Sequence, residues 1–191
     1  MRSVLVFSGI VAVCAAALGQ GKIPVMIETN LGTIEIHLDS ARAPRSVANF
    51  LKYVDGMFYN GGLFHRTVTM NNQPNDSIKI EVIQAGINPE REKDAYPAIE
   101  IERTSTTGIL HRDGTVSMAR LGPNSGTWHF FICVNDQPAL DFGGRRNPDG
   151  QGFAAFGKVV QGMDVVRNIQ GSPAEGQQLT PPVRISSIRR K

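Results

Sequence analysis

The sequence predicts a mainly β domain, built as a closed barrel of about eight strands whose ends are capped by two helices. Three observations predict this fold. The 191 residues include 20 glycines and 11 prolines, and so many turn-forming residues imply many short elements. Short apolar runs, several of them alternating, recur between these turns, while just two stretches have helical spacing. Closure into a barrel removes free strand edges, which favours a barrel over an open sheet.

Composition limits both the size of the domain and its partners. Hydrophobic residues make up 41% of the chain and charged residues 19%, which suits one packed domain rather than a disordered chain. The net charge of +3 is small and scattered, so we expect no nucleic acid partner. The two cysteines are too few for a disulfide scaffold or for a metal site with several thiolates.

The first residues have the composition of an export signal. Arg2 is followed by residues 3–18, which carry no charge and end in small residues. The apolar stretch is shorter than the ~20 residues that a membrane span needs. We therefore predict a signal peptide at residues 1–19 and a mature domain at 20–191. The domain is expected to be periplasmic or secreted, with no stable membrane span after processing.

Three alternatives stay open for this segment. Cleavage after Ala17 also follows a run of small residues. Residues 11–14 resemble a lipoprotein processing site, although Val13 is large for its position. In the third alternative, the segment stays uncleaved as a single anchor. In every case, the folded domain is expected outside the cytoplasm.

The first elements are a β-hairpin and a helix. Residues 25–29 and 34–38 alternate apolar with other side chains, and residues 30–32 supply the turn between them. Residues 44–55 begin with proline and carry apolar side chains at helical spacing, and Gly56 is a suitable C-terminal stop. Each element therefore has one apolar face for burial.

The rest of the chain predicts further strands and a second helix. In chain order, we expect strands at 63–64 and 78–83, a short extension at 99–102, strands at 116–119, 130–134 and 153–160, a helix at 163–169 and a closing strand at 183–188. The polar segments 70–77 and 143–152 are predicted to be exposed loops. Because Cys133 stands in an apolar run, it is expected to be a buried structural thiol.

Motifs for several other chemistries are incomplete. Residues 152–158 have the spacing of a phosphate-binding loop, but Val159 replaces the magnesium-binding hydroxyl and the segment is strand-like. The chain has no Gly-x-Ser-x-Gly elbow, and its 4 histidines lack the close spacing of metal ligands. The acidic residues are too dispersed to be paired as acid and base. We therefore expect no metal and no cofactor.

Five short motifs, taken in their order, resemble those of one known family. They are Phe-His-Arg at 64–66, Val-Ile-Gln-Ala-Gly at 82–86, Gly-Thr-Val-Ser-Met-Ala at 114–119, His-Phe-Phe-Ile-Cys at 129–133 and Phe-Gly-Lys-Val-Val-Gln-Gly-Met at 156–163. Because the motifs occur in this order, the chain resembles the cyclophilins, the peptidyl-prolyl cis-trans isomerases, over nearly all of its mature length. The resemblance implies an eight-stranded antiparallel barrel with two capping helices. It also implies an outer groove that binds proline-containing proteins and peptides.

The reaction that this resemblance implies needs few groups. Rotation about an X–Pro amide bond must break resonance, a barrier of about 18–20 kcal/mol, but no bond to a leaving group is cleaved. A catalyst therefore needs an apolar pocket for the proline ring and a donor that favours the twisted amide. Neither requirement calls for a nucleophile, a metal or a cofactor.

The resemblance also assigns roles to individual residues. Arg66 matches the catalytic donor, and Gln84 matches the glutamine that binds the substrate backbone and helps to position that arginine. Phe131 matches an aromatic wall of the proline pocket. Because neighbours on a strand face opposite ways, the phenylalanine before it is expected in the barrel core. Ala119 and Leu140 match groove positions, although Leu140 suits the core equally well.

The rim of the groove departs from the family pattern. The replacements are Glu81 and Val82 for an aromatic–methionine pair, Arg120 for an asparagine, His129 for a glutamine, Ala139 for a tryptophan and Phe153 for a histidine. Because the tryptophan's indole donor is missing, we predict weak cyclosporin binding. Because Arg120 adds positive charge to the groove, we predict a preference for acidic residues beside the proline.

Two functions are compatible with these features. The first is an exported prolyl isomerase that acts as a monomer and assists folding. The alternative is a non-catalytic module that binds proline-containing segments, which the changed rim suggests. The retention of both Arg66 and Gln84 favours the enzyme, because a binding module has little need of the donor.

Overall fold

The computed structural model describes residues 21–191, and the predicted signal peptide with its cleavage points lies outside the described residues. Within this range, no helix is both long and apolar enough to cross a membrane. The strands are β1 (Lys22–Thr29), β2 (Gly32–Asp39), β3 (Leu63–Val68), β4 (Val82–Gly86), β5 (Thr115–Met118), β6 (Phe130–Cys133), β7 (Ala154–Gln161), β8 (Ala174–Glu175) and β9 (Gln178–Arg190). The helices are α1 (Pro44–Asp55), α2 (Thr104–Thr107) and α3 (Met163–Gln170).

Eight of these strands form a closed barrel. Their order around the ring is β1, β2, β7, β5, β6, β4, β3 and β9, and β9 pairs again with β1 to close it. Every pairing is antiparallel, including the closing one, where Ile27 lies opposite Ile188. The short strand β8 pairs with β9 alone and stands outside the ring. The predicted eight-stranded antiparallel barrel is therefore confirmed, and it closes within residues 22–190.

Strand alternation and the apolar face of the first helix build one core. Alternate residues of β1 and β2, such as Val25, are fully buried. On α1, Phe50 is fully buried, and its ring centroid lies 5.3–5.4 Å from those of Tyr59, Phe130 and Phe156. α1 packs against β2, β7 and β9, while α3 packs against β2, β3 and β4, so both predicted helices cover the barrel. The single-turn helix α2 was not predicted, because its four residues are too few to show a periodic pattern.

The strand predicted at 78–83 is wrong over its first four residues. β4 begins at Val82. The residues before it are hydrogen-bonded by the side chain of Gln73 and not by a neighbouring strand. The Gln73 side chain donates to the carbonyl of Ile80 at 2.7 Å and accepts from the N–H of the same residue at 3.2 Å. This amide replaces strand pairing within the polar loop, and alternation of apolar residues cannot reveal such a partner.

The C-terminal strand begins earlier than predicted, although it contains two consecutive prolines. β9 starts at Gln178 rather than at 183. β3 pairs on either side of the prolines, Phe64 with Val183 and Arg66 with Gln178. The prolines therefore lie in a stretch without partners on β3, where no ladder N–H is required and proline is tolerated.

Smaller differences concern the ends of other elements. The extension predicted at 99–102 makes a single bridge to Gly126 and contains no strand. The strand predicted at 63–64 continues to Val68, because β4 and β9 flank it on both sides. The helix predicted at 163–169 is confirmed, with one further residue.

Candidate active site

A cavity of about 230 Å³ opens on the outer face of the barrel, where β3, β4 and β6 lie side by side. Its apolar lining includes Ile80, Val82, Ala119, Phe131, Leu140 and Phe153. Its polar lining includes Arg66, Gln84, Arg120 and Arg146. Every predicted site residue except His129 therefore borders this cavity.

Phe131 lies in an apolar cluster outside the barrel core. On β6, Phe130 faces the core while Phe131 faces outward and is 4% exposed, as strand alternation predicts. Phe153 packs edge-on against it, with ring centroids 5.3 Å apart and planes at 89°. Leu140 belongs to the same outer cluster, so the structure decides between its two predicted positions in favour of the groove. The cluster forms an apolar pocket that suits a small ring.

Arg66 lies at the polar edge of this pocket, between two glutamines. The β3–β4 register places it opposite Gln84, whose Oε1 accepts from Arg66 Nη1 at 2.8 Å. On the other side, Oε1 of Gln177 accepts from Nε at 2.9 Å and from Nη2 at 2.6 Å. Burial lowers the pKa of Arg66, and the nearby Arg146 lowers it further, yet a guanidinium stays charged at neutral pH.

Arg120 is paired, so the expectation that it adds free positive charge to the groove is wrong. Its Nη1 and Nη2 donate to the two carboxylate oxygens of Asp149 at 2.7 and 2.8 Å, and its Nε donates to the carbonyl of Gly152 at 2.7 Å. The guanidinium carbon lies 5.0 Å from the centroid of the Phe153 ring. Hydrogen bonds from Arg120 lower the pKa of Asp149 to about 2, so the pair is ionic at neutral pH. Its acidic partner stands on a distant loop, which no spacing rule indicates.

The two polar loops meet beside the cavity through Arg146. This residue of the 143–152 loop donates from Nη1 to the carbonyl of Ile78 at 2.6 Å and forms an ion pair with Asp76 at 3.0 Å. Its side chain is just 13% exposed. The loops at 70–77 and 143–152 are therefore joined beside the cavity and are not two independent exposed segments.

Several residues of the site, among them Gln177, Arg146 and Leu121, were not predicted from the sequence. Gln177 and Arg146 lie in loops far from every motif, so nothing local in the sequence indicates them. Leu121 directly follows a groove position and is 97% exposed beside the cavity. A large apolar side chain next to a motif is a signal that could have indicated this third residue.

Comparison with known proteins identifies the family. Residues 24–190 match the family model described as cyclophilin type peptidyl-prolyl cis-trans isomerase/CLD. The chain belongs to this family. This cyclophilin is 38% identical over 173 residues to a peptidyl-prolyl cis-trans isomerase of Acinetobacter baylyi, a match that covers 87% of the chain and 85% of the relative. It is therefore a peptidyl-prolyl cis-trans isomerase, and proline-containing peptides are its substrates.

Two further relatives agree with this assignment, and a solved structure agrees with the fold. The cyclophilin is 37% identical over 146 residues to isomerase A of Dickeya dadantii, covering 76% of the chain and 70% of the relative. It is 35% identical over 148 residues to isomerase B of Escherichia coli, covering 77% and 84%. A crystal structure of a Cryptosporidium parvum cyclophilin matches the fold with a TM-score of 0.71 at 21% identity, covering 89% of this chain and 98% of that one.

His129, predicted to replace a groove glutamine, does not line the cavity of this cyclophilin. It packs instead against His65 and Trp128, with ring centroids 5.2 and 5.5 Å away. β6 begins one residue later, so the alternation that turns Phe131 outward does not extend to His129. Burial lowers the pKa of His129 to about 4, and the neighbouring His65 contributes. The ring is therefore neutral at pH 7 and supports the strands beside the groove.

Next to Phe131, the cyclophilin contains a buried Ser–His–Asp array. His111 Nδ1 lies 2.7 Å from Asp141 Oδ1, and its Nε2 lies 2.9 Å from Ser117 Oγ. The Phe131 ring stacks on the imidazole, with centroids 5.9 Å apart. Because His111 and Ser117 are fully buried, this hydroxyl does not meet a substrate carbonyl as a nucleophile must. The array instead supports Phe131, and its members are too dispersed in the sequence to form a motif.

The remaining reactive side chain near the cavity is Cys133. It packs in the outer cluster with Phe131 and is buried, as predicted from its apolar run. Burial raises the pKa of its thiol well above the usual range, which leaves it unreactive at neutral pH. Within residues 21–191, no three histidine, cysteine or acidic side chains converge as a metal site requires.

Proposed function

We propose that this isomerase acts on X–Pro bonds of exported proteins and that Arg66 is its catalytic donor. The observation that carries the proposal is a charged guanidinium fixed by Gln84 at the edge of an apolar pocket. In this proposal, Phe131 forms the wall of the proline pocket, and Gln84 also bonds the substrate backbone. Val82, Ala119, Leu140 and Phe153 complete the apolar contact with the substrate.

The chemistry follows from what rotation about the amide requires. As the X–Pro bond twists, the nitrogen loses resonance and regains a lone pair, which accepts a hydrogen bond from Arg66. The pocket around Phe131 holds the ring while the rest of the chain rotates. Uncatalysed isomerisation takes tens of seconds. A turnover of ~10–1000 per second therefore requires about 10³–10⁵-fold acceleration, which corresponds to lowering the barrier by roughly 4–7 kcal/mol. A fixed charged donor beside an apolar pocket can supply this amount.

An Arg66→Lys variant tests the role of the guanidinium. Lysine keeps the charge but lacks the planar fork, so it cannot bond Gln84 and the substrate nitrogen in the same geometry. We expect kcat to fall at least about tenfold, while peptide affinity changes little. Turnover equal to that of the wild type would refute the proposed role of Arg66.

Export is supported by the predicted signal segment at residues 1–19. A fusion of this segment to a phosphatase that is active only outside the cytoplasm tests it. We expect phosphatase activity from the fusion and none from a control that lacks residues 2–19. An inactive fusion that is expressed at the same level would contradict export.

We also infer that the isomerase works as a monomer. The support is that β9 pairs again with β1, so the ring of strands leaves no free edge for a second copy to extend. Light scattering at the concentrations used for activity is expected to give the mass of a single chain. A dimer whose activity disappears on dilution would contradict this inference.

A further inference from the structure

The three arginines beside the cavity differ in what they pair with. Arg120 donates to both oxygens of Asp149, and Arg146 pairs with Asp76. Each of these two is therefore balanced by a carboxylate. Among the described residues, the side-chain partners of Arg66 are instead the amide oxygens of two glutamines.

Amide acceptors hold a guanidinium without cancelling its charge. Arginine has five N–H donors, and the glutamines accept from Nε and from one hydrogen on each terminal nitrogen. One N–H on each terminal nitrogen is left for a substrate. A carboxylate at either position would fix the same geometry but would weaken the positive potential at the pocket edge. This combination of a fixed orientation and a charge with no directly bonded carboxylate is what a donor to a twisted amide needs.

Gln177 holds Arg66 from outside the motifs, and the polar loop at 70–77 holds Gln177. Its Nε2 donates to the carbonyl of Asn72 at 3.2 Å. The Asn72 side chain donates in turn to the carbonyls of Gly176 and Thr67, both at 3.0 Å. The turn between β8 and β9 is therefore tied to the loop by two hydrogen bonds, one at Gly176 and one at Gln177. The side chain is partly buried, unlike the exposed Gln178 that follows it.

We propose that Gln177 is a positioning residue for Arg66, and that its neutrality is as important as its hydrogen bonds. The inference rests on the proposed role of Arg66 as donor. Gln177 bonds two nitrogens of the guanidinium, while Gln84 bonds one, so Gln177 sets the plane in which the free N–H groups point. The loop at 70–77 acts on catalysis through this residue.

Two substitutions separate orientation from charge. Gln177→Met keeps the length of the side chain and removes its hydrogen bonds, so Arg66 loses its fixed plane. Gln177→Glu keeps an acceptor for Nε and Nη2 but balances the charge. We expect kcat to fall roughly tenfold to a hundredfold in the methionine variant and at least about tenfold in the glutamate variant. KM is expected to change less than kcat in both, because neither variant alters the apolar pocket.

The matched control is Gln178→Met, which changes the adjacent glutamine, whose side chain is exposed. This control is expected to keep wild-type kcat and thermal stability. The spectroscopic readout is the ¹⁵N resonance of Arg66 Nε, assigned by its loss in Arg66→Ala. We expect a resolved, exchange-protected Nε–H in the wild type and in Gln177→Glu, and an unprotected one in Gln177→Met. A residue that only stabilises the fold would lower the melting temperature without this pattern.

The outcomes distinguish this inference from the proposed function. Wild-type kcat in Gln177→Met would overturn the positioning role, and wild-type kcat in Gln177→Glu would overturn the argument from neutrality. If Arg66→Ala keeps full turnover, the proposed function fails, whatever the Gln177 variants do. If Arg66→Ala is inactive while both Gln177 variants are fully active, the donor role stands and this inference fails.

Discussion

Replacing His111 by phenylalanine tests the buried array that supports the proline pocket. The substitution keeps a flat ring to stack on Phe131 but removes both imidazole nitrogens. The carboxylate of Asp141 loses its bond from Nδ1, and the Ser117 hydroxyl loses its acceptor. The backbone N–H of residue 111 still donates to Asp141 at 3.0 Å, so the carboxylate keeps one partner.

The expected loss in the free energy of unfolding is the sum of the contributions of these two hydrogen bonds. A hydrogen bond to an ionised carboxylate contributes about 1.5–3 kcal/mol, and a neutral bond about 1 kcal/mol. Because the phenylalanine ring is larger than the imidazole, no cavity is created, and overpacking makes the value that follows a lower bound. The free energy of unfolding of residues 20–191 should therefore fall by roughly 3 kcal/mol. A domain of this size should melt about 2–4 °C lower for each kcal/mol lost.

Urea unfolding with an unchanged m-value is the assay. Adding Ser117→Ala to His111→Phe should recover about 1 kcal/mol, because it removes the hydroxyl that was left without a partner. We also expect kcat/KM to fall severalfold, since the ring that stacks on Phe131 is no longer fixed by hydrogen bonds to Asp141 and Ser117. A stability loss below about 1 kcal/mol would refute the reasoning that assigns two strong hydrogen bonds to this imidazole.

The remaining predictions concern the groove rim and the buried histidine. Asp149→Asn should free the charge of Arg120 and create a preference for acidic residues beside the proline, whereas the wild type should show none in a peptide panel. An unchanged panel would contradict this. Because Ala139 offers no indole donor, cyclosporin should bind weakly, and a nanomolar dissociation constant by titration would contradict that. The pKa of His129 is about 4 in the folded chain and about 6.5 in the unfolded chain, so the unfolded chain binds more protons between these pH values. Stability should therefore fall as the pH is lowered through this window, by about 2 kcal/mol after allowing for solvent screening, and His129→Gln should remove that part of the loss. Equal pH dependence in the two proteins, measured by urea unfolding at pH 4.5 and 7, would show that the histidine is not responsible.

Periodic patterns predicted the elements whose burial is regular. Alternation identified the first hairpin and separated Phe130 from Phe131, because a strand must turn successive side chains to opposite faces. Helical spacing identified α1 and α3, because residues three and four apart lie on the same face of a helix. The motifs around Arg66 and Gln84 identified the pocket edge, since these residues face each other across two neighbouring strands.

Partners that are distant in the sequence were not predictable in this way. A pattern reports that a residue is buried, but it does not report what the residue touches. The charge of Arg120 was misjudged because Asp149 reaches it from a distant loop. The loop residue Gln73 stands in for a strand by bonding Ile80, and Gln177 reaches Arg66 from the far end of the chain.

The most direct test of the account is the rate of exchange at an X–Pro bond, measured by NMR line broadening on a short peptide. Residues 20–191 contain the complete barrel and are compared with their Arg66→Ala variant. The account predicts that the wild type accelerates the exchange and that the variant loses this acceleration while it still shifts the peptide resonances. Peptide shifts without accelerated exchange in the wild type, or full acceleration in the variant, would contradict it.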